Sequence, residues 1–187
     1  MTIAVLDACV LYPPSLRDLL LWLAAVRVYE PRWTEDIHAE WIRNVLADNP
    51  ELTSGQLERT RRLMDQGTSH CLISGYEGRI ASLSLPDEAD RHVLAAAIEA
   101  GSALIVTFHL ADFPAATLQT YGIQPVHPDD FLYALFEDEP ELFLRGLRAH
   151  RASLRRPSKT AEEYLATLIA NGLNWLAAHV EAHTAAI

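Results

Sequence analysis

Apolar residues along this chain alternate between the unbroken runs of buried strands and the three-and-four spacing of helices. Ile3–Leu6 is a short apolar run that ends on Asp7, and Pro13–Pro14 punctuates the chain after it. Leu16, Leu19, Leu20, Leu23 and Val26 then recur at helical spacing, which predicts a helix capped by Ser15 and running to about Val28. Pro31 breaks the chain, and Ile37, Trp41 and Val45 form a stripe at spacing four in a second helix. Thr34 is that helix's expected cap and Asn49–Pro50 its end. Thr53 with Gln56 three residues later has the form of a capping box, opening a polar helix to about Gln66.

Cys71–Ser74 reads as a strand and Tyr76–Leu83 as a short helix. Pro86 and Asp87 start a helix to Ala100, with Gly101 placed to end it. Ala103–Phe108 is a further strand, Asp112–Tyr121 a short helix stopped by Gly122, and Ile123–Val126 another strand. Strands alternating with helices predict an α/β fold, a mostly parallel sheet with helices on both faces. Pro128 begins the helix FLYALFED, which runs into the acidic stretch Glu137–Glu141. Only helical patterns follow. One is Glu141–Leu154. The other starts after Pro157, with Thr160 and Glu163 as its capping box and Leu165, Leu168, Ile169, Leu173 and Leu176 as one apolar face. The expected organisation is an α/β domain over residues 1–137 and a helical extension over residues 138–187.

Charge modifies this picture. A net charge of −10 argues against a general nucleic-acid coat, because phosphate contacts need cations. Yet six of the fifteen basic residues (Arg145, Arg148, Arg151, Arg155, Arg156 and Lys159) fall between positions 145 and 159, so an acidic body carries a basic tail. Such a chain suits a nucleic acid whose charge is offset locally by metal ions, or a basic protein partner. Cys9 and Cys71 have no metal or redox spacing and read as buried thiols, which fits a reducing cytoplasm. No targeting segment is visible, and the longest apolar stretch, Leu19 to Val26, is far short of the roughly 20 residues of a membrane span.

Four acids are candidates for chemistry. Asp7 terminates an otherwise apolar strand, where a turn aspartate and a functional one fit equally. Asp87, Glu88 and Asp90 open a helix, where acids complement the macrodipole. Asp90, however, lies above Val93, Leu94, Ala97 and Ile98, the inward stripe, and a carboxylate there needs a cation or a donor. Asp112 follows a strand end, where local reasoning favours a helix cap. Glu40 flanks the Ile37–Trp41–Val45 stripe and by itself reads as a boundary glutamate. The eight histidines show no ligand spacing and read as surface or boundary residues, except His109, which sits between a strand end and Asp112.

Taken together, LDACVLYP, the helical AEW, PDEADRHVLAAAI and VTFHLADFP resemble, in order and spacing, the PIN domain, and more narrowly the VapC-type toxins of bacterial toxin–antitoxin pairs. The resemblance covers residues 1 to about 137 and implies a three-layer α/β/α sandwich with a parallel central sheet. It also implies a Mg²⁺- or Mn²⁺-dependent endoribonuclease. The family's acids fall on Asp7, Glu40, Asp90 and Asp112, with Asp7, Asp90 and Asp112 as metal ligands and Glu40 at a second metal or an oriented water. Thr107 and His109 are then substrate-positioning residues, His109 standing where the family often has Asn. The helical tail looks like the C-terminal extension of one branch of these proteins.

Hard divalent cations favour carboxylate oxygens, so the chemistry agrees with the resemblance. The expected partners are an RNA substrate and a cognate antitoxin, in a cytoplasmic homodimer that touches no membrane. Arg145, Arg148, Arg151, Arg155 and Arg156 are candidate contacts for RNA or partner. The alternative is a non-catalytic PIN-fold interaction module in which the acids only cap helices. A haloacid-dehalogenase-like phosphatase also begins with a strand ending on Asp. That family expects a second Asp two residues on, and here Ala8 and Cys9 follow Asp7.

Overall fold

The computed structural model describes all residues, 1–187. Four short strands, β1 (Thr2–Leu6), β2 (Tyr29–Arg32), β3 (Leu104–Val106) and β4 (Gln124–Val126), pair in parallel in the order β2-β1-β3-β4. Ala4, Val5 and Leu6 pair with Leu104, Ile105 and Val106, all but Leu104 buried, as expected of a parallel strand covered on both faces. The chain leaves β1 toward β2 on one side and returns across β1 to β3 on the other. Right-handed crossovers therefore place the intervening helices on opposite faces of the sheet. The architecture is the α/β/α arrangement expected of a PIN-like chain.

The first crossover holds α1 (Ala8–Leu11) and α2 (Pro14–Ala25), and α2 packs on β2. The second holds α3 (Glu35–Asp48), α4 (Ser54–Gly67), α5 (Glu77–Ile80) and α6 (Arg91–Glu99), of which α6 packs against β1 and β3. After α7 (Ala115–Gln119) and β4, the chain ends in α8 (Pro128–Asp138), α9 (Pro140–Ser153), α10 (Ala161–Ala170) and α11 (Asn174–Val180). Thr34 caps α3 by accepting from the Ile37 amide, and both capping boxes, at Thr53/Gln56 and Thr160/Glu163, are complete.

Several local expectations are corrected. Ser15 is not a cap; Pro13 precedes α2, which ends at Ala25, and the Ser15 hydroxyl donates instead to Asn171 at 2.8 Å. Pro31 lies within β2, tolerated because β2 is an edge strand whose outer side needs no ladder donor. Cys71–Ser74 makes only a single bridge, Trp33 to Leu72. The last helix is two helices, broken where Gly172 adopts φ +78°, and Ile169 is exposed rather than part of a common apolar face.

One continuous apolar core joins the two segments. It runs from Ala4 and Val5 through Trp33 and Trp41 to Phe143, Tyr164, Leu168 and Leu176. Gly146 of α9 sits against α2 so closely that a Cβ would lie 2.9 Å from Leu23 Cδ2. His38 and His150 are buried, against the reading of these histidines as surface residues. Each has an aromatic partner: Trp41 Nε1–H donates to His38 Nδ1 at 2.9 Å, and the Tyr164 hydroxyl hydrogen-bonds His150 Nδ1 at 2.7 Å. No helix is long and apolar enough to cross a membrane.

Candidate active site

In an open parallel sheet, ligands bind at the carboxyl ends of the strands where the strand order reverses. Here that point lies between β1 and β3, and Asp7 and Thr107 are the first residues beyond those two strands. The Asp7 amide donates to Val106 O at 3.1 Å, which stitches the two strand ends together. Its side chain is buried and fully engaged. Oδ1 accepts from the Ala8 amide at 2.6 Å, which caps α1, and Oδ2 accepts from Thr107 Oγ1 at 2.7 Å and Cys9 Sγ at 3.1 Å. The turn role and the functional role of Asp7 are thus compatible: one oxygen caps while the other faces the crevice.

Asp90 ends a 3₁₀ turn, Glu88–Asp90, that leads into α6, and its side chain caps nothing. Asp87 is the cap, accepting from the Ala89 amide at 2.8 Å. The Asp90 carboxyl is raised from 3.8 to about 6, first by desolvation and then by the charges of Asp7, Asp87, Glu40 and Asp112. The four predicted acids therefore share one electrostatic basin, although they come from four separate segments of the chain. Asp112 closes a second 3₁₀ turn, Leu110–Asp112. It does not cap α7, whose N-cap is Pro114 without a side-chain bond, so the simple capping explanation for Asp112 fails. Glu40, on α3, lies 3.3 Å from His92 Nε2 on α6. His92 is one of two residues near the acids that sequence reasoning missed; its Nδ1 is buried with no partner.

The second is Cys9. The atoms of Asp7, Cys9 and His109 that could ligate a metal all lie within 4.8 Å of one another, whereas Glu40, Asp90 and Asp112 complete no such trio. Aspartate, thiolate and imidazole together would suit a soft ion. Burial, followed by the Asp7 charge, pushes the Cys9 thiol far above its ordinary range, so it keeps its proton and donates to Asp7. What remains is a set of hard carboxylate oxygens carrying uncompensated charge. That set fits Mg²⁺ or Mn²⁺, and Mg²⁺ retains several waters, so the acids need not close directly on one another. Thr107 is fully buried and acts on Asp7, while its Oγ1 accepts from the His109 amide at 3.0 Å. His109 is exposed and its ring faces Asp7.

The basic residues of the tail divide. Arg148 donates to Ala186 O at 2.7 Å, and Arg151 to Lys159 O at 2.8 Å and Ile187 O at 2.9 Å, so both tie the tail together. Arg145, Arg155 and Arg156 are exposed.

Comparison with known proteins adds an independent line. Residues 128–182 match the family model described as the VapC50 C-terminal domain. Over 84 residues it is 37% identical to a Mycobacterium tuberculosis protein named "Putative ribonuclease VapC50", an alignment covering 43% of this chain and 49% of that relative. The chain thus spans about half the length of the curated relative it matches. No solved structure matches the chain. Both matches agree with the VapC-type resemblance read from the acids. The matched region begins at Pro128, just beyond β4, and so takes in the whole of α8.

Proposed function

We propose that this chain is a metal-dependent endoribonuclease, the toxin of a type II toxin–antitoxin pair, that hydrolyses RNA phosphodiesters at the crevice between β1 and β3. The convergence of Asp7, Glu40, Asp90 and Asp112 on that crevice carries the reading: their mutual repulsion, felt at Asp90, calls for a cation. Asp7, Asp90 and Asp112 would hold Mg²⁺ or Mn²⁺, with Glu40 at a second ion or a water. A bound ion of this kind lowers the pKa of a coordinated water and offsets charge on the phosphate.

The chain's own residues supply the rest. Thr107 and Cys9 hold Asp7 Oδ2 in a fixed direction, so the carboxylate is organised before any ligand arrives. His92 restrains Glu40 from α6. His109 is placed to donate to a phosphate oxygen beside Asp7. Thr107, having no exposed surface, positions Asp7 and reaches substrate only through it. Residues 1–137 form the nuclease unit and residues 138–187 a helical extension that shares its core. Arg145, Arg155 and Arg156 remain available to RNA or to the antitoxin, and the protein works in the cytoplasm as a homodimer.

Purified protein is expected to cut single-stranded RNA with Mg²⁺ or Mn²⁺ and to stop with EDTA. Asp7→Asn, which keeps an oxygen for the α1 cap, and Asp90→Asn should each lower cleavage by at least about 100-fold, the scale of losing a group that organises the transition state. If both variants cut like the unaltered protein, the acids are structural and the interaction-module reading replaces this one.

A further inference from the structure

We propose that the exposed face shared by α8 and α11 is a docking site for an arginine-bearing segment of a protein partner. Trp175 is 61% exposed, an unusual cost for the largest side chain on a surface. Its ring stacks on His179 one turn later, with centroids 5.5 Å apart and an interplanar angle of 28°. Tyr133 of α8 brings its ring to 4.4 Å from His179 and 6.4 Å from Trp175. This trio is built rather than incidental. Asp129, buried at the start of α8, accepts from the Trp175 and Leu176 amides at 2.8 and 2.9 Å, which bolts the start of α11 to α8. His179 Nδ1 lies 2.7 Å from Trp175 O, which fixes the middle ring.

The rings are bordered by acids. The Tyr133 hydroxyl donates to Glu137 at 2.5 Å, and Asp130, one turn earlier, shares that face of α8. Both carboxylates are exposed. A guanidinium is the group that uses this combination fully, because it stacks on an aromatic face and pairs with a carboxylate through its edge. The chain's own cation–π contact, Arg17 over Trp41, lies elsewhere and leaves this trio open. The same acids disfavour RNA as the occupant, since its phosphates would meet Glu137 and Asp130. A net charge of −10 steers cationic partners toward the molecule in general. The site is independent of the acids at the sheet and does not rest on the nuclease reading.

The full chain, ¹⁵N-labelled, carries four tryptophans, and the Trp175 indole signal can be assigned with Trp175→Phe. The probes are a capped Gly-Arg-Gly-Arg-Gly peptide, its lysine and glutamate counterparts, and a uridine decanucleotide. The arginine peptide is expected to move the Trp175 signal saturably, with the lysine peptide weaker by about fivefold because ammonium loses the planar stack. The glutamate peptide should leave it unmoved, and Glu137→Gln combined with Asp130→Asn should weaken the arginine peptide by a similar factor. The comparison among peptides needs no variant to fold. An unmoved signal with the arginine peptide, equal binding of lysine and arginine peptides, unchanged binding by the double variant, or a shift by the oligonucleotide instead would overturn the assignment.

Discussion

Asp90 concentrates the tension of this molecule in one side chain. Its carboxyl stands at about 6 in the fold against an ordinary 3.8, because it is partly desolvated and faces four other acids. Well below 3.8 folded and unfolded chains both hold that proton, and between 3.8 and about 6 the unfolded chain has released it first. Each rise in pH through that window therefore costs the metal-free fold stability, and above 6 the full penalty stands. After allowance for solvent screening of a half-buried group, the penalty is about 1–2 kcal/mol. In chelator, Asp90→Asn should melt higher than the unaltered protein near pH 7.5 and nearly identically near about pH 3. Thermal denaturation followed by circular dichroism checks this, and equal differences at both pH values would contradict it. Asp7 and Asp90 were legible in sequence because each interrupts an apolar pattern, one at a strand end and one above an inward stripe. Cys9 and His92 were not: Cys9 sits two residues from Asp7, but its contact with Thr107, like that of His92 with Glu40, is made only by tertiary folding.

Among the elements, those with local signatures could be read directly. The caps at Thr34, Thr53 and Thr160 act within three residues, and the structure keeps all three. Elements whose existence depends on neighbours were missed. β2 contains a proline and is a strand only because β1 lies beside it, and α1 is a single turn held by the Asp7 side chain. The break between α10 and α11 turns on Gly172, which packs near Phe108 beside the crevice, a contact that no local pattern announces. The α2–α9 contact makes a sharper case. At Gly146 a Cβ would approach Leu23 Cδ2 at 2.9 Å and Val26 Cγ2 at 3.0 Å. Gly146→Leu should therefore cost about 1–3 kcal/mol by overpacking, even though leucine is the better helix former. Chemical denaturation gives the value, and amide exchange along α9 should rise with it. An unchanged midpoint would mean that α9 can lift off α2 without loss.

Across the whole molecule, one apolar core supports one acidic crevice. If an ion settles among Asp7, Asp90 and Asp112, it binds the folded chain alone and raises stability by mass action, by about 2.7 kcal/mol at a hundred times its dissociation constant. Mn²⁺ should accordingly raise the melting temperature of the unaltered protein, and it should do so far less for Asp90→Asn. A shift of equal size in both would place the ion elsewhere. The hydrogen bond from Thr107 to Asp7 joins residues 100 positions apart. A ribosome adding about 5–20 residues per second must make most of the chain before the two halves of the crevice can meet. Asp7 and Thr107 thus meet only late in synthesis. Because its two sides are joined through paired strands, the crevice is assembled or lost with the fold as a unit. Damage to folding should then change how many molecules hold an intact crevice, leaving the crevice of each folded one as it was.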